Sequence, residues 1–497
     1  MPDGSNTTSA DGSAWQPVDT NPCASAQLTH IELESIKSTL ENVELEDICQ
    51  VTKINNTTDE EPNRRYSSEL DLQHIVDEQL SLKDDTIVNA EADSAYGWII
   101  VVAGFMINVF SIALPASYGV FQQAYKELPE FEGTSSLAIA FIGSLANAGL
   151  PLFSILAGRL VDQYGPCVVC LVGALFILVS MVIASFSTAV WQMIITQGFL
   201  FGVGTSLAHI PGISILPDWF VKRRGLATGI AVSGSGIGGL ILGPVLRYLI
   251  SHVGWRWTLR IIGIFGGSII AISAMFLKVR TFRKIRKEMH FSNFKNPIFQ
   301  KLYAVAVIYS FAYFVPFFYI PTYALKYGMT IEQGALLVGI LSGASGLGRV
   351  TLGFASDHLG HINTLTGCLI SATLGILLVW PFAISFNGIL AFVLIYGYFI
   401  GGFVCLTSTV TAQLFGANGN IATVTGMIFN GYLFGDLFGT PIAGAMIDHF
   451  TVTLPDGAVS VNYLPSILFA GLCFAVGSML LMSIKMTVGN RKFFIKV

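Results

Sequence analysis

Three ionisable side chains stand inside stretches of the chain that are otherwise apolar, and their chemistry is the first thing the sequence offers. Arg349 lies in Gly346-Leu347-Gly348-Arg349-Val350, Asp436 stands between Gly435 and Leu437, and His209 precedes Pro211. A charge held in hydrocarbon costs about 3 kcal/mol on insertion scales, so each is expected to face a partner, a cavity or a solute. The guanidinium of Arg349 presents a planar, two-pronged donor set that suits a carboxylate. Its blander role is a structural ion pair with an acid of the bundle. Asp436 is the remaining buried acid, able to pair with Arg349, to carry a proton, or simply to make a polar contact. His209 has a ring that titrates near neutral pH, although the commoner state of such a histidine is a hydrogen bond to a backbone carbonyl.

Other chemistries find no residues to carry them. No nucleophile, metal cluster or suitably spaced carboxylate pair emerges, which argues against an enzyme and leaves no cofactor or metal expected. The seven cysteines are scattered, and the one C-x-x-C, Cys167 and Cys170, opens an apolar run, where buried thiols are the natural reading. Gly234-x-Gly236-x-x-Gly239 has the spacing of a dinucleotide fingerprint but stands inside an apolar run with no preceding strand. The expected partners are therefore a small-molecule solute, the lipid bilayer and, through Asp436, protons. No nucleic acid is expected, and the oligomeric state is left open.

The elements that must position these residues follow from composition. With 53% hydrophobic and 12% charged residues, the chain is far from the soluble average of about 25% charged. Residues 1–96 hold 20 of the 31 acids but 5 of the 27 Lys and Arg, so that segment is net −15 and the remainder net +11. Residues 1–92 are polar and acidic, and they read as a disordered tail, because too little apolar surface is present to offset the entropy of ordering. Apolar runs of about 20 residues then recur, each long enough to cross a bilayer core. The hydropathy pattern predicts six spans near 97–122, 136–158, 166–186, 189–215, 226–250 and 259–278. Six more are predicted near 302–324, 332–354, 362–385, 388–410, 421–446 and 462–485. The expected architecture is an all-α membrane protein of two six-helix halves, 93–278 and 302–487, joined by a basic linker, 279–301, and ending in a short tail, 488–497.

Lys278, Arg280, Arg283, Lys284, Arg286 and Lys287 mark the linker as cytoplasmic by the positive-inside rule. With an even number of spans on each side, both termini are then cytoplasmic too. The sequons at Asn6, Asn55 and Asn56 would go unused there. Lys222, Arg223 and Arg224 anchor the same face.

An internal repeat supports the division into halves. Gly158-Arg159-Leu160-Val161-Asp162-Gln163-Tyr164-Gly165 follows the second span, and Gly353-Phe354-Ala355-Ser356-Asp357-His358-Leu359-Gly360 follows the eighth. Both read G-x-x-x-D-x-x-G in equivalent loops, as in transporters built of two matching halves. The glycines permit a tight turn. Asp162 precedes the next helix, where its charge meets a positive dipole end, and such an aspartate can also pair across halves in one state. Gly225, Gly229, Ser233, Gly234 and Gly238 give small residues at roughly four-residue spacing for close helix contact.

These loops resemble the signature loop of the major facilitator superfamily, with Pro166 and Cys167 where basic residues usually stand. Asp93-Ser94-Ala95-Tyr96-Gly97-Trp98 resembles the opening of the first span in monocarboxylate porters. Trp219-Phe220-Val221-Lys222-Arg223-Arg224-Gly225-Leu226-Ala227 is similar to the second signature of that family, and the acidic tail suggests its fungal branch. The resemblance covers about residues 93–487. It implies the major facilitator fold of twelve helices in two pseudo-symmetric bundles, alternating access, and Arg349 in the place of the arginine that holds a substrate carboxylate. Two charged positions of the family are absent, Ala116 and Ser345 standing in them, which weakens the expectation of a lactate-type proton symporter. The expected function is secondary transport of a small organic anion or related metabolite. The alternatives are a facilitator of a larger solute such as riboflavin and a non-transporting sensor. The plasma membrane is the expected location, the vacuolar membrane the alternative. Span seven also crowds Phe311, Tyr313, Phe314, Phe317, Phe318 and Tyr319 together, for stacking on a flat substrate or, for most of them, packing and lipid contact.

Overall fold

The computed structural model describes residues 93–126, 128, 131, 136–279, 291–416, 420–453 and 459–488. The acidic segment 1–92 with its sequons, residues 280–290 of the basic linker, and residues 489–497 lie outside the described residues.

Backbone polar groups find no partner in hydrocarbon, so a chain this apolar crosses it as helices that satisfy themselves. The first half contains α1 (Ala95–Ala116), α2 (Ser136–Tyr164), α3 (Pro166–Ala184) and α4 (Val190–Trp219). A helical stretch from Arg224 to Met275 completes it. At 1.5 Å per residue that stretch would run roughly 78 Å, more than twice the hydrocarbon thickness. It is two helices: Gly254 has φ 81°, a left-handed conformation open to glycine, and the chain reverses there. The helices on either side, 224–253 and 255–275, are α5 and α6. The loop expected between spans five and six is thus a single glycine joint. The second half contains α7 (Pro297–Lys326), α8 (Ile331–Leu359), α9 (His361–Phe382), α10 (Phe386–Phe415), α11 (Ile421–His449) and α12 (Leu464–Val488). A two-stranded ribbon, Val452–Thr453 against Val459–Ser460, lies between α11 and α12. The first span stops at Ala116, short of the expected 122, and a separate helix Gly119–Lys126 follows the turn at Ser117.

Each half has its own apolar centre. Ile107, Phe110, Ile177, Phe201 and Leu259 belong to the first, and Phe299, Tyr309, Phe392, Ile400 and Phe474 to the second. Leucines and phenylalanines on the outer faces, such as Leu175, Phe265, Leu378 and Leu472, are exposed, as a lipid-facing surface requires.

The halves meet along two seams, and small residues make both. In the α5–α8 seam a Cβ at Gly229 would sit 2.2 Å from the Arg349 carbonyl oxygen, and one at Gly236 would sit 2.9 Å from Gly346 Cα. In the α2–α11 seam a Cβ at Gly158 would sit 2.3 Å from the Ala422 carbonyl oxygen, and one at Gly426 would sit 2.2 Å from that of Ser154. The small residues of α5 divide between two neighbours. Gly225, Gly229 and Gly236 face α8, whereas Gly234 and Gly238 face α1 at Phe105 and Val109. The nucleotide-like glycine spacing is accounted for by helix packing at its first two positions, Gly234 and Gly236.

Candidate functional site

The repeated loops are positioned by matched backbones. Gly165 has φ 86° and Gly360 φ 91°, so the last glycine of each repeat makes the same left-handed turn into the following helix. The aspartates act elsewhere than on the helix that follows them. Asp162 Oδ2 accepts hydrogen bonds from Thr423 N at 2.8 Å and Thr423 Oγ1 at 2.5 Å, at the N-terminus of α11. Asp357 accepts from Gly225 N at 2.6 Å and Leu226 N at 3.0 Å, at the N-terminus of α5. The expectation that Asp162 meets the dipole of α3 is corrected: α3 begins after Gly165 with no side-chain cap, and the carboxylate caps a helix of the opposite half. The first glycine of each repeat lies one turn before the aspartate, on the same face, and lets the two helices approach closely enough for that cap. Arg159 is exposed.

The basic triplet sits at the same end. Lys222 and Arg223 are exposed, while Arg224 turns back, donating from Nε to Phe220 O at 3.1 Å and from Nη2 to Pro217 O at 2.9 Å. Asp93 accepts from Lys222 N at 3.1 Å and Arg223 N at 3.2 Å. Tyr96 packs on Trp219 with centroids 5.2 Å apart, and Trp98 meets Phe220 edge-on at 5.2 Å. The segments opening α1 and α5 are therefore one contact, which separation in sequence had concealed.

A cavity lies between the halves at mid-depth, with about 820 Å³ of space among its lining atoms, the open mouth included. Arg349, Asp436 and His209 all line it. The residues read from the sequence as candidate solute contacts are thus brought together, although α4, α8 and α11 supply one each. Arg349 is buried. Its Nη1 donates to Val232 O at 3.0 Å and to Ser235 Oγ on α5, while its Nε has no partner. Asp436 is half-buried among the phenols of Tyr309, Tyr313 and Tyr432. No ion pair joins it to Arg349. His209 Nδ1 is buried and has no hydrogen-bond partner, so the carbonyl-satisfied state expected for it is corrected at this nitrogen. Its ring lies 5.7 Å from that of Phe429. The signature residues Asp162, Asp357, Gly158 and the triplet stand at the loop end, apart from the cavity lining.

Sequence reasoning passed over Asn108 and Thr205, which also line this cavity and are buried to 0% and 1% exposure. Asn108 Nδ2 donates to Gly104 O at 2.8 Å, but Asn108 Oδ1 and Thr205 Oγ1 have no partner. Thr205 is one turn before His209 on α4, a spacing that would have placed the two on one face. Asn108 immediately precedes a π-helical turn, Val109–Ala113, a distortion frequent at functional sites. Of the span-seven aromatics, Tyr313 and Phe314 line the cavity, whereas Phe318 is exposed. Ala116 is exposed and Ser345 buried, and neither lines the cavity.

Two six-helix halves, a cavity between them lined by Arg349, Asp436 and His209, and matched cross-half latches define a secondary transporter. The chain belongs to the major facilitator superfamily, whose family profile, Major Facilitator Superfamily, matches residues 97–440. It is 31% identical to the MFS-type transporter pynF of Aspergillus niger over 72% of this chain and 84% of that protein. It is 28% identical to the Agnestins efflux protein AgnL12 of Paecilomyces divaricatus over 78% of this chain and 87% of that one. Its fold is similar to that of the transporter FucP in the outward conformation, with a TM-score of 0.59 at 14% identity, covering 78% of this chain and 98% of FucP.

Proposed function

We propose that this transporter moves a small organic anion or related metabolite by alternating access, with Arg349 as the contact for the anionic group, in the manner of monocarboxylate porters. The observation that carries the reading is a buried guanidinium at the mid-depth cavity whose Nε has no protein partner. A charged donor left unpaired there is costly, and a carboxylate arriving with the solute would satisfy it. The packing of Asp93, Tyr96 and Trp98 against the 219–223 segment supports the narrower family, since these are the two stretches on which that resemblance rests.

Taking the repeat-loop end as cytoplasmic, as the basic linker implies, the closed seams face the cytoplasm and the cavity is accessible from the outside. Both termini would then be cytoplasmic, in the plasma membrane or alternatively the vacuolar membrane. Asp436 is the proposed proton carrier, as the acid lining the cavity. Efflux of a larger solute is the second reading. It is favoured by relatives named for efflux of agnestins and aspyridones, and by the aromatic wall of the cavity.

Flux of labelled organic acids in reconstituted vesicles, with and without a pH gradient, tests both points. Gradient-driven accumulation that Asp436→Asn abolishes, while exchange at equal pH persists, is the expected result. Equal flux of wild type and Asp436→Asn under a gradient would remove the proton role.

A further inference from the structure

The cavity has two unlike flanks. One is polar and unsatisfied: Asn108 Oδ1, Thr205 Oγ1 and His209 Nδ1, all from the first half, join Arg349 Nε as buried polar atoms without a partner. Each residue is more than nine-tenths buried. Native structures pair nearly all such groups, so four on one cavity wall point to something that arrives to pair them. The other flank belongs to the second half and is aromatic, with the Asp436 carboxyl set among its phenols. Phe314 touches Tyr313 at 4.6 Å between centroids, Tyr313 touches Tyr309 at 5.5 Å, Tyr309 touches Tyr432 at 5.4 Å, and Tyr432 touches Phe429 at 5.1 Å. All five line the cavity, and the chain of rings ends at His209.

Resting on the anion reading of Arg349, we infer that the solute is a planar aromatic acid with a second hydrogen-bonding group, such as a phenolic hydroxyl, remote from the acid. The ring system would lie against the wall that runs from Phe314 to Phe429, where offset or edge-on contacts between rings add to burial. The acid would meet Arg349. The remote hydroxyl can donate to Asn108 Oδ1 or Thr205 Oγ1 and accept from either the threonine hydroxyl or a protonated His209 nitrogen. A small aliphatic acid would satisfy the guanidinium alone, leaving the three first-half groups unpaired and the aromatic wall wet. Discrimination would come from those unpaired groups, since a site built to hydrogen-bond a hydroxyl rejects the analogue that lacks it.

The test uses the purified full-length protein and four probes: 6-hydroxy-2-naphthoate, 2-naphthoate, decahydronaphthalene-2-carboxylate, and the methyl ester of the first. Binding is read by thermal stabilisation and by calorimetry. The hydroxynaphthoate is expected to bind tightest. Losing the hydroxyl should weaken binding about tenfold, and losing aromaticity by at least as much. In Thr205→Val, a near-isosteric change, the penalty for losing the hydroxyl should shrink while 2-naphthoate affinity holds. Tyr309→Leu should narrow the gap between aromatic and saturated acids. A saturated acid that binds as tightly as the naphthoates overturns this inference and leaves the anion reading standing. An ester that matches its acid, with Arg349→Leu unchanged, fails the anion reading while the ring contacts survive. Binding of none of the four overturns the inference.

Discussion

The two seams between the halves are built alike at their ends and differently at their middles. At the loop end each has a glycine that admits close approach and an aspartate that caps a helix of the opposite half, Asp162 on α11 and Asp357 on α5. Further in, the α5–α8 seam contains Arg349, whose carbonyl oxygen faces Gly229 and whose guanidinium bonds Val232 and Ser235 across the divide. In the α2–α11 seam Ser154 Oγ donates to Gly426 O at 2.7 Å and Asn430 Nδ2 donates to Pro151 O at 2.9 Å, while Asp436 makes no hydrogen bond across the divide among the described residues. The α5 end is also doubly held, by Asp93 of its own half and by Asp357 of the other. One seam therefore joins its latch, through a single pair of helices, to a cavity-lining guanidinium that bonds across the divide, whereas the other holds its latch together with Asp436, a cavity-lining carboxylate that makes no such bond.

That comparison is broken most directly by Arg349→Leu, which should cut transport of an organic anion by roughly 100-fold, the cost of losing a buried charged partner. Surface expression should stay near normal, and uptake unchanged at that expression would show that the α5–α8 seam has no solute role. Next come the glycines. Gly229→Ala and Gly158→Ala each force a methyl against opposing backbone, a strain of about 1–3 kcal/mol in the closed seam. Both should raise amide hydrogen exchange at the loop ends of α5 and α11, by roughly tenfold. Only Gly229→Ala should also weaken solute binding, because the atom it strikes is the Arg349 carbonyl. Equal binding losses in the two variants would erase the distinction between the seams.

Smaller effects are expected from the caps. Asp162→Asn and Asp357→Asn keep an acceptor but lose the charge at a helix N-terminus, worth about 1 kcal/mol, or several-fold in the population of the closed state. Faster exchange of the Thr423 amide in the first, and of the Gly225 and Leu226 amides in the second, is the measurement. The smallest shift belongs to Asp93→Asn. Its bonds lie within one half, so thermal stability should fall by a degree or a few while the exchange of Thr423 stays as in wild type. A rise at Thr423 would mean that the two ends of the seams are coupled through α5 itself.

Much of the fold was legible. Twelve apolar runs, the duplicated loop and the central basic stretch follow from hydropathy and charge, which are properties of short windows, and the helices fall within a few residues of them. The joint at Gly254 was not legible, because a glycine in an apolar run reads the same whether it packs or turns. The three ionisable candidates were visible because charge in hydrocarbon is rare, and the cavity brings all three together. Asn108 and Thr205 were harder to see: neutral polar residues are ordinary in membrane helices, the one-turn spacing to His209 hints at Thr205 alone, and it is the lack of a partner together with a place in the cavity lining that sets the two apart.

The sequence by itself determined that this chain crosses a bilayer as two matching sets of helices and which few ionisable groups cannot face lipid. Tertiary structure decided what those groups meet. Asp162 and Thr423 are 261 residues apart, Asp357 and Gly225 132, and no local pattern encodes which helix end a carboxylate will reach. Helix formation is settled within a few turns of backbone, whereas a cap, a seam or an unpaired atom in a cavity exists only once distant helices are packed.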